Sequence, residues 1–179
     1  MRRRPDYRPL AAALVVGGLL LACGALAGDT MDGYRSAQFG MSADEVKHVA
    51  EEDGVIINTV HETDDGDTLL DGHLDDTDTG IRYVFPEGRD QLALVVKFHP
   101  EHDNPGPLVD RLRADHGDPW ADDMAEQWFE QLRGDMPEGV QDLTVWGGDE
   151  GARERFIRLW VFDDYLTVEY LDIELLRGG

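Results

Sequence analysis

The sequence predicts an α+β fold, with helices packed on a mainly antiparallel sheet and two halves that resemble a loose internal duplication. Three observations lead there. Period-two alternation marks the hairpin strands 81–85 and 92–98 and the closing strands, helix-start chemistry opens segments ahead of each strand group, and the order is helix, strands, helices, strands. The expected organisation is a signal peptide over 1–27, a flexible N-terminus over 28–38 and one domain over 39–175.

The first element is a targeting segment. Arg2, Arg3, Arg4 and Arg8 form a basic cluster, and an apolar run from Leu10 to Ala22 follows it. That run is 13 residues long, short of the about 20 a membrane span needs but right for the core of a signal peptide. Ala25-Leu26-Ala27 supplies small residues for cleavage before Gly28, which would release a periplasmic or otherwise extracytoplasmic protein. Leu20-Leu21-Ala22-Cys23 resembles a lipoprotein lipobox, with Leu21 where that pattern has a smaller residue. It implies the alternative of an envelope lipoprotein anchored through lipid on Cys23. Cys23 is the only cysteine, so no internal disulfide can form.

Of the 16 basic residues four lie in this segment, and of the 38 acids one, which leaves 12 against 37 and a formal charge of −25. Such a surface repels nucleic acid and anionic lipid, so neither is an expected partner, and membrane contact is expected only through Cys23. Apolar residues are plentiful and periodic, which argues against intrinsic disorder.

In the domain itself, Gly28 to Gln38 shows no period and reads as loose. Ser42 and Glu45 make a capping box for a helix that presents Val46, Val49 and Ala50, with Phe39 and Met41 placed to pack on it and Gly54 to end it. Val55 to Val60 reads as a strand. His61 to Gly80 carries eight acids and reads as loop, with Thr68-Leu69-Leu70 a short strand inside it. Ile81, Tyr83 and Phe85 alternate with Arg82 and Val84, Pro86-Glu87-Gly88 turns the chain, and Leu92, Leu94, Val96 and Phe98 return it. A short helix is predicted over Leu108 to Asp115. A second follows from Asp118-Pro119, with Trp120, Met124, Trp128 and Leu132 as an apolar stripe. Strands over Leu143 to Trp146, Phe156 to Phe162 and Tyr165 to Leu171 finish the chain, the last two joined through Asp163-Asp164.

Phe39-Gly40-Met41-Ser42, followed by Glu45-Val46, resembles the helix opening of small envelope lipoproteins involved in outer-membrane assembly and of repeats of the β-lactamase inhibitory protein. The hairpin containing Tyr83-x-Phe85 and Leu92 to Phe98 is similar to the strand pair that follows there. The resemblance spans residues 39 to 98 and implies a helix-on-sheet scaffold used for protein contacts. The acidic insertion before the hairpin departs from it, and no binding residue carries over.

Motifs for chemistry are sparse. His99-Pro100-Glu101-His102-Asp103 holds metal-ligand residue types but leaves a strand into a Pro/Gly loop, without the rigid scaffold a zinc site uses. Asp76-x-Asp78-x-Gly80, with Glu87 at position twelve counted from Asp76, has the outline of a calcium loop whose glycine falls at position five rather than six. Asp76, Asp78 and Glu87 are therefore the candidate metal ligands, with calcium the candidate ion. Ser36 and Ser42 are the only serines beyond Cys23, and no Gly-x-Ser-x-Gly elbow or phosphate-binding glycine loop is present. The leading expectation is a non-enzymatic cell-envelope protein that binds another envelope protein or supports an assembly. The alternatives are an acidic-loop divalent-cation module and a hydrolase with a site built from acids and histidines.

Overall fold

A computed structural model describes residues 31–75, 77, 79–100, 104–121, 124, 139–148 and 155–177. The element order is β1 (Gly33–Tyr34), β2 (Ala37–Gln38), α1 (Ala43–Glu52), β3 (Val55–Glu62), β4 (Thr68–Leu74), β5 (Gly80–Phe85), β6 (Leu94–His99), α2 (Gly106–His116), β7 (Val140–Gly147), β8 (Arg155–Phe162), β9 (Leu166–Asp172) and α3 (Ile173–Arg177). Strands β3 to β9 form one seven-stranded sheet in the order β3-β4-β5-β6-β9-β8-β7, with every neighbouring pair antiparallel. β1 and β2 make a separate two-stranded hairpin.

This corrects the expected helices-on-sheet α+β architecture: the molecule is mostly antiparallel sheet. The described helices are short, at 10, 11 and 5 residues. Among the described helical residues only Val46, Ala50 and Leu112 are buried, whereas every strand of the large sheet contributes buried apolar side chains. The largest difference falls in the segment from His61 to Gly80. Half of it is strand: β3 extends to Glu62, and β4 runs through Thr68–Leu74 with Leu69, Leu70 and Leu74 all buried. β4 has apolar contacts on both faces, so its alternation is blurred and its acids dominate the sequence signal. Gly72 has a steric reason to be there. A Cβ at this position would lie 2.6 Å from the carbonyl oxygen of Ile56, beside the irregularity in β3 between Ile57 and Thr59.

The clearest strands appear where alternation places them. In β8 and β9, Ile157 faces Tyr170, Leu159 faces Val168 and Val161 faces Leu166. The Asp163-Asp164 connection is a two-residue turn closed by Phe162 N–H donating to the carbonyl of Tyr165 at 3.0 Å. The returning strand of the predicted hairpin is shorter than its alternation implies. Leu92 leaves the ladder, accepts from Gly40 N–H and donates to the Met41 carbonyl, which ties the entry of α1 to the sheet. Of the predicted second helix, Asp118, Pro119, Trp120, Ala121 and Met124 are described and the remainder lies outside the described residues.

Helix α1 starts as its sequence dictates. Ser42 Oγ accepts from the Glu45 backbone N–H, and the Glu45 carboxylate accepts from the Ser42 backbone N–H at 2.9 Å. Gly54, at φ 81°, follows the C-cap residue Asp53 and turns the chain into β3. Ser42→Ala should lower the unfolding free energy by about 1 kcal/mol in denaturant melts; an unchanged midpoint would show that the box does not hold the helix. The same bonds hold the Glu45 carboxyl below its ordinary pKa, the backbone contact with Ser42 contributing most. Its share of stability is therefore complete above the ordinary carboxylate pKa and is lost as pH falls through the depressed value.

Residues 33–38 differ from the expected loose segment. Arg35 takes φ 52°, a left-handed conformation that suits a two-residue hairpin turn. Its guanidinium donates to the Asp53 carbonyl at 2.6 Å, while Ser36 donates from N–H and Oγ to the two Asp53 carboxylate oxygens, each at 2.9 Å. The turn is thereby fastened to the end of α1, and Tyr34 and Ala37 are buried in the principal core with Val46, Ala50, Tyr83, Val95, Leu159, Val168 and Tyr170.

Candidate functional site

The large sheet has two differently furnished faces. One carries the principal core beneath β1–β2, α1 and α2. On the other, a second cluster of Leu143, Val145, Phe156, Trp160, Phe162 and Leu171 lies at the β7–β8–β9 end, packed by Trp120 and by Ile173 and Leu176 of α3. Trp120 donates its indole N–H to the Gly147 carbonyl at 2.7 Å and meets the Phe156 ring edge-on at 5.6 Å. The tryptophan of the predicted helical stripe is thus a packing residue.

Beside this cluster, on the same face, a groove of about 380 Å³ crosses the middle of the sheet. Strand register sets its course. One end is Thr63 and Asp67 in the β3–β4 turn, followed by Leu69, Val84 and Leu94, which lie in one row across β4, β5 and β6. The other end is Phe98 and Thr167, a registered pair, with Phe162 and Tyr165 at the β8–β9 turn. The groove therefore runs diagonally between turns at opposite ends of the strands. Phe162 and Tyr165 stack at 4.3 Å, leaving Tyr165 37% exposed as the wall at that end.

The groove floor is charged but compensated. Register aligns Asp71, Arg82, Val96, Glu169 and Arg158 in a single row across five strands. Arg82 donates to both carboxylate oxygens of Asp71, at 2.7 and 3.1 Å, in a bidentate pair. That hydrogen bonding is the main reason the Arg82 pKa lies above its ordinary value. Arg158 lies 2.6 Å from a Glu169 oxygen that also accepts from the Trp160 indole at 2.8 Å. The Arg158 guanidinium sits over the Trp160 ring, 5.3 Å from its centre. Asp71 and Glu169 in the floor are each engaged by a cation, while Asp67 at the groove end accepts from the Glu87 N–H.

The candidates named from sequence are placed as follows. Asp76 and Asp78 lie outside the described residues, but their neighbours Asp75, Thr77 and Thr79 define the turn between β4 and β5. Glu87 lies beyond the other end of β5, whose 6 residues span about 20 Å. Its backbone N–H donates to Asp67, in the β3–β4 turn. Glu87 thus follows β5, whereas Asp75, Thr77 and Thr79 precede it.

His99 ends β6, while Glu101, His102 and Asp103 lie outside the described residues, as does Cys23. Among the described residues, no group of three or more His, Cys, Asp or Glu side chains is placed to hold a metal ion. Ser42 is engaged in its cap and Ser36 in binding Asp53, so neither serine belongs to the groove. Asp71, Arg82 and Glu169 were not singled out from sequence. The alternation Leu69, Asp71, His73 against Leu70, Gly72, Leu74 is the signal that marks β4 as a two-faced strand with Asp71 on the groove side.

Among the described residues, no helix is long and apolar enough to cross a membrane. No known family model, curated protein or solved structure matches this chain.

Proposed function

We propose that the chain is an exported, non-enzymatic cell-envelope protein that binds another protein through the diagonal groove on its sheet. The observation that carries this reading is the groove itself: aliphatic and aromatic side chains over a rigid, ion-paired floor. Such a surface suits burial of another protein's apolar side chains within a polar rim. The basic, apolar and small-residue order of the first 27 residues supports export, ending either at Gly28 or at a lipid-bearing Cys23. The helix opening at residues 39–46, which resembles that of envelope assembly lipoproteins, agrees with a scaffold role.

A photo-crosslinking amino acid at position 165, in the groove wall, should trap a partner in intact cells. The same group at position 47, on the exposed side of α1, should not trap it. Intact-mass measurement of the purified protein should show the N-terminus at Gly28 or Cys23. Equal adduct patterns from both positions would defeat the groove reading, and retention of Arg2 to Leu21 would defeat the export reading.

A further inference from the structure

We infer that the segment docking in this groove is cationic at both ends and apolar in the middle: a stretch of another protein in which lysines or arginines flank a few aliphatic or aromatic residues. This rests on the docking reading above and adds the chemistry of the occupant. The argument comes from how charge is distributed around the groove.

The interior offers apolar side chains at Leu69, Val84, Leu94 and Phe98; Arg82 in its lining is paired with Asp71, and Arg158 beside it with Glu169. The floor therefore presents no surplus positive charge to attract an acidic partner. The two ends are different. Asp64 and Asp65 are exposed in the turn that forms one end, and Asp163 and Asp164 are exposed in the turn that forms the other. The adjoining β5–β6 turn holds exposed Glu87 beside Arg89, while Asp90 accepts from the Ala43 N–H at the start of α1. Excess negative charge thus brackets an apolar channel on a chain of net charge −22.

An acidic segment would meet repulsion at both ends, and an uncharged one would forgo the attraction; a cationic-flanked segment satisfies the ends and the middle together. The groove crosses β4, β5, β6, β9 and β8, four strand spacings or about 19 Å. Measured across the strands, that is about 13 helical residues or about six extended ones, and the diagonal path is longer.

The test uses the protein expressed from its full-length gene and purified in the form the cell produces. Two displayed peptide libraries are selected on it, with identical randomised apolar cores of about six residues, one flanked by lysines and the other by glutamates. Only the lysine-flanked library should enrich. Its best peptide should lose about tenfold in affinity when Asp64, Asp65, Asp163 and Asp164 are all changed to Asn, and a comparable amount at about 0.5 M salt. Phe98→Ala and the more exposed Tyr165→Ala should each weaken it while circular dichroism and melting confirm the fold.

Enrichment of the glutamate-flanked library, failure of both libraries, or indifference to the four Asn substitutions would overturn the cationic occupant. In each case, groove-specific crosslinking would leave the docking reading standing. Binding unaffected by both Phe98→Ala and Tyr165→Ala would instead overturn the groove as the docking site.

Discussion

Tyr34→Ala is expected to lower the unfolding free energy by about 3 kcal/mol, the scale for emptying an aromatic site in a packed core. The side chain is 2% exposed. Its ring centre lies 5.4 Å from that of Tyr170 in β9, and the Lys97 ammonium of β6 sits 4.7 Å from it. Truncation would remove buried area and two ring contacts, and the hairpin is too small to collapse into the gap. Equilibrium denaturation by urea gives the measurement, with Tyr34→Phe as the control that keeps the ring. If residues 28–38 were loose in solution, Tyr34→Ala would leave the midpoint unchanged, so the experiment decides whether this segment belongs to the domain.

Asp172→Ala should cost a similar amount, about 3 kcal/mol, the lower end of the range for breaking a buried ion pair because Arg155 keeps some solvent contact. Asp172 is 6% exposed. One carboxylate oxygen accepts from Arg155 Nε at 2.9 Å, and the other caps α3 by accepting from the Leu175 N–H at 3.1 Å. Arg155 also pairs with Asp32 at the start of the chain's described part, so one guanidinium ties the N-terminal hairpin region to the end of β9. Its pKa is raised, first through the bond to Asp172.

A double-mutant cycle with Arg155→Met separates pairing from capping. If the ion pair dominates, the double variant should lose clearly less than the sum of the single losses. Additive losses would assign the effect of Asp172 to the helix cap alone. Removing Asp172 should also unsettle α3, whose Ile173 and Leu176 cover the second apolar cluster.

How much of this was legible in the residues depended on whether the cause was local. The capping box from Ser42 to Glu45 is a contact between neighbours in sequence, and it forms as read. The β8–β9 hairpin is equally local: a nearly continuous apolar run from Phe156 to Phe162 and a two-residue turn mark it without help from distant residues. β4 was not read as a full strand, because Leu69 on the second face blurs the period set by Leu70, Gly72 and Leu74 and its acids imitate a loop. The β1–β2 hairpin has no period to read at two residues per strand. Its order comes from Asp53 and from the core, both distant in sequence.

The candidate site followed the same rule. Asp76, Asp78 and Glu87 have ligand chemistry and a loop-like spacing that are legible in sequence, and Asp76 and Asp78 lie outside the described residues. The groove residues have ordinary identities and become a set only because β6 pairs with β9, which sets Val96 beside Glu169 and Phe98 beside Thr167.

The sequence by itself determined the targeting pattern, the acidity, the opening and end of α1, and the strands whose alternation is unbroken, because each depends on composition or on residues within a few positions. Tertiary structure alone decided that the body is a seven-stranded sheet rather than a helix layer on a sheet, that Tyr34 is core, and that an ion-paired groove crosses one face. Those outcomes depend on which strands become neighbours, and that choice is made by burial and pairing between segments too far apart for any local pattern to record.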